Sequence, residues 1–94
     1  MSEKAFETAL RVERDREHLA SLLPGGSPER AISVASASVI EARAAALPCP
    51  HCGGHYRILE HTRPWPGIRR VDVACRHCSS PRLLWFRIVT RELN

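Results

Sequence analysis

Between residues 3 and 23 the apolar side chains return at helical intervals. Phe6, Ala9, Leu10, Val12, Leu19, Ala20 and Leu23 fall broadly on one side at about 100° per residue, with Glu13 and Arg16 intruding. Glu7 and Arg11 stand in the i,i+4 order that supports a helix. Leu23-Pro24-Gly25-Gly26 ends the segment, because proline disfavours helical geometry in the residue before it and glycine accepts a left-handed turn. Ser27-Pro28-Glu29 then reads as a new start, with a capping serine, a proline in the first turn and a glutamate facing the helix dipole. A second helix is predicted over residues 28–47, with Ile32, Ala35, Val39, Ala42 and Ala46 as a stripe of mostly small residues. The short Pro-Gly-Gly-Ser link makes an antiparallel helical hairpin the expected arrangement. So thin a core must either dock on the rest of the chain or form a dimer seam with a second copy.

After Pro48 the period changes from helical to strand-like. Residues 56–60 predict a first strand and residues 67–74 a second, in which Val71 and Val73 share a face. Arg63-Pro64-Trp65-Pro66-Gly67 supplies the turn chemistry between them. A third strand over residues 82–89, Arg-Leu-Leu-Trp-Phe-Arg-Ile-Val, is apolar on both faces. That suggests a central strand with Trp85 and Phe86 in the core and a helix over one side.

The cysteines change the picture most. All four lie in two Cys-x-x-Cys pairs, Cys49-Pro-His-Cys52 and Cys75-Arg-His-Cys78, with 22 residues between them. Such a pair turns both sulfurs toward one point, and two pairs supply the ligands of a closed tetrahedral zinc site. Disulfides are a second reading of an even count, but nothing behind Met1-Ser2-Glu3-Lys4 reads as a signal peptide for an oxidising compartment. A redox pair would need a helix N-terminus beside a parallel sheet. Iron in a rubredoxin-like tetrathiolate site is the remaining alternative. Cys49-Pro-His-Cys52-Gly53 fits that knuckle, whereas the second pair is followed by Ser79-Ser80-Pro81 and lacks the glycine.

At 94 residues the chain buries a modest core, for which a metal is a usual staple. No apolar run approaches the length of a membrane span, and reduced thiols point to a cytoplasmic setting. The net charge of +4 is unevenly placed. Residues 1–47 sum to −1, while residues 48–94 carry eight arginines against Glu60, Asp72 and Glu92, for +5. An anionic partner such as nucleic acid is drawn to that half. Thirteen arginines against one lysine is also what a high-GC genome produces, and arginines near four thiolates offset the −2 charge of a zinc-loaded site.

These knuckles and strands resemble a zinc ribbon over residues 48–89, in which two Cys-x-x-Cys turns at the ends of a small sheet hold one structural zinc. The resemblance implies Cys49, Cys52, Cys75 and Cys78 as ligands. The expected fold is α+β: an N-terminal helical hairpin (residues 1–47) followed by a small three-stranded antiparallel zinc-ribbon sheet (residues 48–94). It implies a non-enzymatic binding module associated with nucleic acid or the transcription machinery. The alternative is a protein–protein adaptor, or a small subunit of a larger assembly, with purely structural zinc and with the helical hairpin as protein contact or homodimer seam. Catalysis has little support in the sequence, since four thiolates close the zinc and no serine or cysteine nucleophile sits beside a recognisable base. Trp65, framed by two prolines and flanked by Arg63, Arg69 and Arg70, is the candidate contact with nucleic acid or a partner. His51, His55, His61 and His77 read as surface histidines rather than ligands, because four cysteines complete the coordination.

Overall fold

The computed structural model describes residues 8, 11, 12, 14, 15 and 18–89. Those before residue 22 are helical at each described position, and Leu22 and Leu23 lie in the turn and bend that follow. Residues 3–7, 9, 10, 13, 16 and 17 of the predicted first helix lie outside the described residues. A 3-10 turn at Pro28–Arg30 leads into strand β1 (Ile32–Val34), a second 3-10 turn (Ala37–Val39) and helix α1 (Ile40–Ala46). Three strands follow, β2 (Tyr56–Trp65), β3 (Ile68–Cys75) and β4 (Pro81–Ile88). They form one four-stranded sheet in the order β1-β4-β3-β2, with β2, β3 and β4 antiparallel and β1 parallel to β4.

This corrects the expected helical hairpin and three-stranded antiparallel sheet. The predicted second helix exists only over its last third, where Ile-Glu-Ala-Arg-Ala-Ala-Ala has high helix propensity. Ahead of it, Ile32 and Val34 alternate with Ser33, and serines recur at 36 and 38. Serine hydroxyls compete for backbone hydrogen bonds, and β-branched side chains lose rotamer freedom in a helix. Ile32 and Val34 instead pair with Phe86 and Ile88 of β4, and Val34 is buried. The Ser36 and Ser38 hydroxyls lie 2.8 Å apart in the turn that follows. The small-residue stripe is also replaced. Ile40 and Ala44, four residues apart on α1, are the fully buried pair, whereas Ala35, Val39, Ala42 and Ala46 are exposed.

The core lies between α1 and one face of the sheet. Tyr56, Val71, Val73, Leu84 and Phe86 are buried there with Val34, Ile40 and Ala44, and Ile58 and Ile88 pack at its margin. The period-two alternation places Leu83, Trp85 and Arg87 of β4 on the opposite face, together with Ile68, Arg70 and Asp72 of β3. β4 is central, but Trp85 is only half-buried and does not belong to the core with Phe86. A bulge between Ile58 and Glu60 pushes Leu59 out to solvent on the edge strand β2. Pro64 sits in a second irregularity of that strand, between Thr62 and Trp65, where a missing backbone N–H costs no ladder bond.

Candidate metal centre

The sheet brings the two knuckles together because β2 begins where the first ends and β3 runs directly into the second. Tyr56 pairs with Cys75, and the Arg76 N–H donates to the His55 carbonyl at 2.9 Å, locking the turns side by side. The four cysteine sulfurs all lie within 4.8 Å of one another. Cys49 and Cys78 Sγ are 3.7 Å apart, and Cys52 and Cys75 Sγ 3.4 Å. In a tetrahedral zinc site with bonds of about 2.3 Å, neighbouring sulfurs are separated by about 3.8 Å. A disulfide would require about 2.05 Å. The donor set and its spacing therefore fit one metal ion, and the cluster is compatible with a zinc ribbon.

Each knuckle is built by the same backbone bonds. Gly53 N–H donates to Cys49 O at 2.7 Å and Cys49 N–H to Gly54 O at 2.8 Å. In the second, Ser79 N–H donates to Cys75 O and Cys75 N–H to Ser80 O, both at 3.0 Å. Gly53 and Ser79 occupy the same left-handed position, at φ 76° and 62°. The glycine missing from the second pair is thus replaced by a serine held in a conformation that an L-residue adopts at a cost. Ser79→Gly will raise the stability of the metal-loaded protein by about 0.5–1 kcal/mol, and Ser79→Val will lower it by more. Paired thermal melts check the order.

The electrostatics of the four sulfurs are unequal. Cys78 is lowered to about 6 because the Ser80 hydroxyl, 3.1 Å away, and the Ser80 backbone N–H stabilise its thiolate. The backbone N–H groups of Cys78 and His77 lower Cys75. Cys52 receives the Gly54 N–H, which lowers it, yet the Cys75 sulfur, desolvation and the sulfurs of Cys78 and Cys49 push it up to about 12. Four thiolates this close need a cation among them. Metal uptake therefore displaces the Cys52 proton at neutral pH, and the metal is held more tightly as pH rises. The sign follows from Cys78, whose thiolate is favoured above its lowered value and is lost as pH falls through about 6. Metal should therefore be released as pH falls and protons regain the sulfurs. A zinc-release titration from pH 8 to pH 4 with a chromogenic chelator measures it.

His51, His55 and His77 are exposed. His61 is not a simple surface histidine: its Nδ1 lies 3.9 Å from the Glu41 carboxylate on α1, and Arg69 Nη1 lies 3.5 Å from its Nε2. That pairing was invisible in sequence because it depends on α1 packing across β2 and β3. Arg82 was also missed. Its Nη2 donates to Ala20 O at 3.1 Å, while its Nη1 lies 3.5 Å from the hydroxyl of the buried Tyr56, tying the chain at residue 20 to the sheet. Burial pushes the Tyr56 phenol up, and the Arg82 cation partly opposes that.

At the other end of the β2–β3 hairpin, Arg63, Trp65 and Arg69 line a cleft of about 600 Å³ with Pro64, Pro66, Gly67 and Ile88. Arg70 stands apart from it, its Nε donating to Asp72 Oδ1 at 2.9 Å. Trp65 is 54% exposed and stacks on Trp85, with ring centroids 6.0 Å apart and planes inclined by 26°. Among the described residues, no helix is long and apolar enough to cross a membrane. No protein-family model, curated protein or solved structure matches this chain.

Proposed function

We propose that this chain is a non-catalytic, cytoplasmic binding module: one structural zinc on Cys49, Cys52, Cys75 and Cys78 staples the sheet, and the hairpin's far end binds nucleic acid. The convergence of four sulfurs within 4.8 Å supports the zinc staple, and the exposed arginines and indole at the tip support the binding surface. A zinc held by four thiolates has no open position for substrate or water, so its contribution is to folding. β2 runs away from that site for ten residues, and strand rise places its tip about 30 Å from its start. The tip presents Arg63, Trp65 and Arg69, within a half of the sequence that carries +5. Guanidinium groups suit phosphate, and local positive charge steers a polyanion to that end.

Titrating a labelled oligonucleotide into zinc-loaded protein over a range of salt tests this. The logarithm of the affinity should fall linearly with the logarithm of salt, with a slope of about −0.7 to −0.9 for each phosphate contacted. Arg63→Glu with Arg69→Glu should remove most of the binding and leave the zinc in place. Binding that ignores salt and survives both changes would sink the assignment of this surface.

A second reading, a protein adaptor, is favoured by one feature. Leu19, Leu22 and Leu23 are all exposed and border a cleft of about 450 Å³ with Ala20, Pro50 and His51. A salt-insensitive complex lost on Leu19→Lys would move the weight to that reading.

A further inference from the structure

We propose that this module takes nucleic acid as a single strand, stacking an unpaired base on Trp65, with Trp85 as the positioning residue that holds the Trp65 ring in place. The proposal rests on the nucleic-acid reading above and narrows it to a strand form and to two residues.

The sheet register carries the argument. Arg70 stands opposite Trp85, and Ile68 stands opposite both Trp65 and Arg87. These positions belong to the face turned away from the core, where Leu83 is half-exposed and Arg87 exposed. Trp65 is thus left exposed and Trp85 half-buried, beside a cleft of about 570 Å³ that Trp85 and Leu83 share with Ala20, Ser21 and Gly26, in a chain that buries Phe86 and Tyr56 completely. Trp65 is 54% exposed at the tip, so the face turned away from Trp85 is open to a base.

The stacked geometry adds preorganisation. One face of Trp65 is backed by Trp85, and prolines on both sides restrict the backbone at that position. A ring already fixed in place loses little rotamer freedom when a base settles on its outer face. Arg87 is exposed on the same face as Trp85 and Arg63 borders the tip cleft with Trp65, so backbone phosphates have cations near the stacked base. Arg69, by contrast, stands opposite the buried Phe86 and turns to His61 on the other face. The charge fits a polyanion, and the indole selects among polyanions. In a duplex the base faces are already stacked inside, whereas in a single strand every base offers one.

The test uses full-length zinc-loaded protein with oligo(dT), oligo(U) and a blunt duplex, each of roughly 12 nucleotides or base pairs. Trp85→Ala, which removes the ring behind Trp65, should weaken single strands with zinc content and duplex affinity unchanged. Trp85→Phe, which keeps a ring there and leaves Trp65 as the sole indole, should restore most of the loss. No loss on Trp85→Ala would remove the positioning role. The expected result has three parts. Single strands bind at least about tenfold tighter than duplex, and they quench Trp65 emission. Trp65→Ala weakens them by about 10- to 100-fold with zinc content unchanged, while Trp65→Tyr keeps most of the affinity.

Equal affinity for duplex and single strand, with Trp65→Ala silent and the arginine variants still defective, overturns this inference and leaves the nucleic-acid reading standing. No binding of any of the three at low salt removes both. A self-association that Trp65→Ala dissolves, with no change in oligonucleotide affinity, also overturns the inference and makes the indole a protein contact.

Discussion

Replacing Cys75 by serine will strip the metal from this chain and unfold the sheet with it. Cys75 ends β3, belongs to the buried core cluster, and holds both the second knuckle and, through its pairing with Tyr56, the first. The substitution removes a ligand and places a hydroxyl among apolar side chains. A structural zinc contributes an apparent free energy of about 10–16 kcal/mol at neutral pH. That is as large as the whole stability of an ordinary small domain, about 5–15 kcal/mol. The metal-free chain therefore lacks the means to keep a small four-stranded sheet together, and a strong chelator should produce the same loss as the substitution. Cys49, likewise buried, should behave as Cys75 does. Cys52 and Cys78 are exposed, so serine there loses a ligand without disturbing the core, and a three-cysteine site should retain weaker, partly folded binding. Circular dichroism melts with zinc content by elemental analysis will rank the four. An order in which Cys52 or Cys78 matters most would contradict the role given to the core here.

Gly54→Val will weaken the metal site without touching a ligand. A Cβ at residue 54 meets His77 Cβ and Cδ2 at 3.0 Å and Cys75 Sγ at 3.1 Å. The two knuckles approach each other through that gap, so a branched side chain must force them apart. Overpacking of this kind costs about 1–3 kcal/mol, which is about 5- to 160-fold in metal affinity. Gly54→Ala should fall between wild type and valine. Competition with a chromogenic chelator gives the affinities, and the control is Gly67→Ala. Its added methyl meets nothing within 4 Å, so any cost there comes from the backbone at φ 78° and should leave the metal affinity alone. Equal effects at 54 and 67 would mean that the close approach of the knuckles is not what the glycine protects.

The metal site was the most legible part of the chain, because Cys-x-x-Cys is a local pattern and its geometry is set within six residues. The β2–β3 hairpin was legible from the alternation of Val71 and Val73 and from the Pro-Gly turn, although β2 runs on through Arg63-Pro64-Trp65, which in sequence reads as part of the turn. What failed was the segment from residue 28 to 39. Its alanines and a capping signal match a helix, and only the open edge of β4 selects Ile32–Val34 as a strand. A three-residue parallel pairing across more than fifty residues of chain leaves no local trace. The sequence places Trp85 in the core with Phe86, but consecutive residues of a strand face opposite sides, and α1 covers only the side of Phe86. Ser79 is an instructive case: the missing glycine suggested that the second knuckle differs, yet the serine takes the same left-handed turn. The Ser79-Ser80 pair could have been aligned with Gly53-Gly54 by counting from each first cysteine.

The central claim is that four thiolates hold one zinc at the end of the sheet opposite the arginine-bearing tip. The most direct test is elemental analysis of the purified protein alongside a thiol assay before and after chelation. The account predicts one zinc per chain and four thiols that react only slowly until the metal is removed. No metal, iron in place of zinc, or thiols already consumed in disulfides would contradict it.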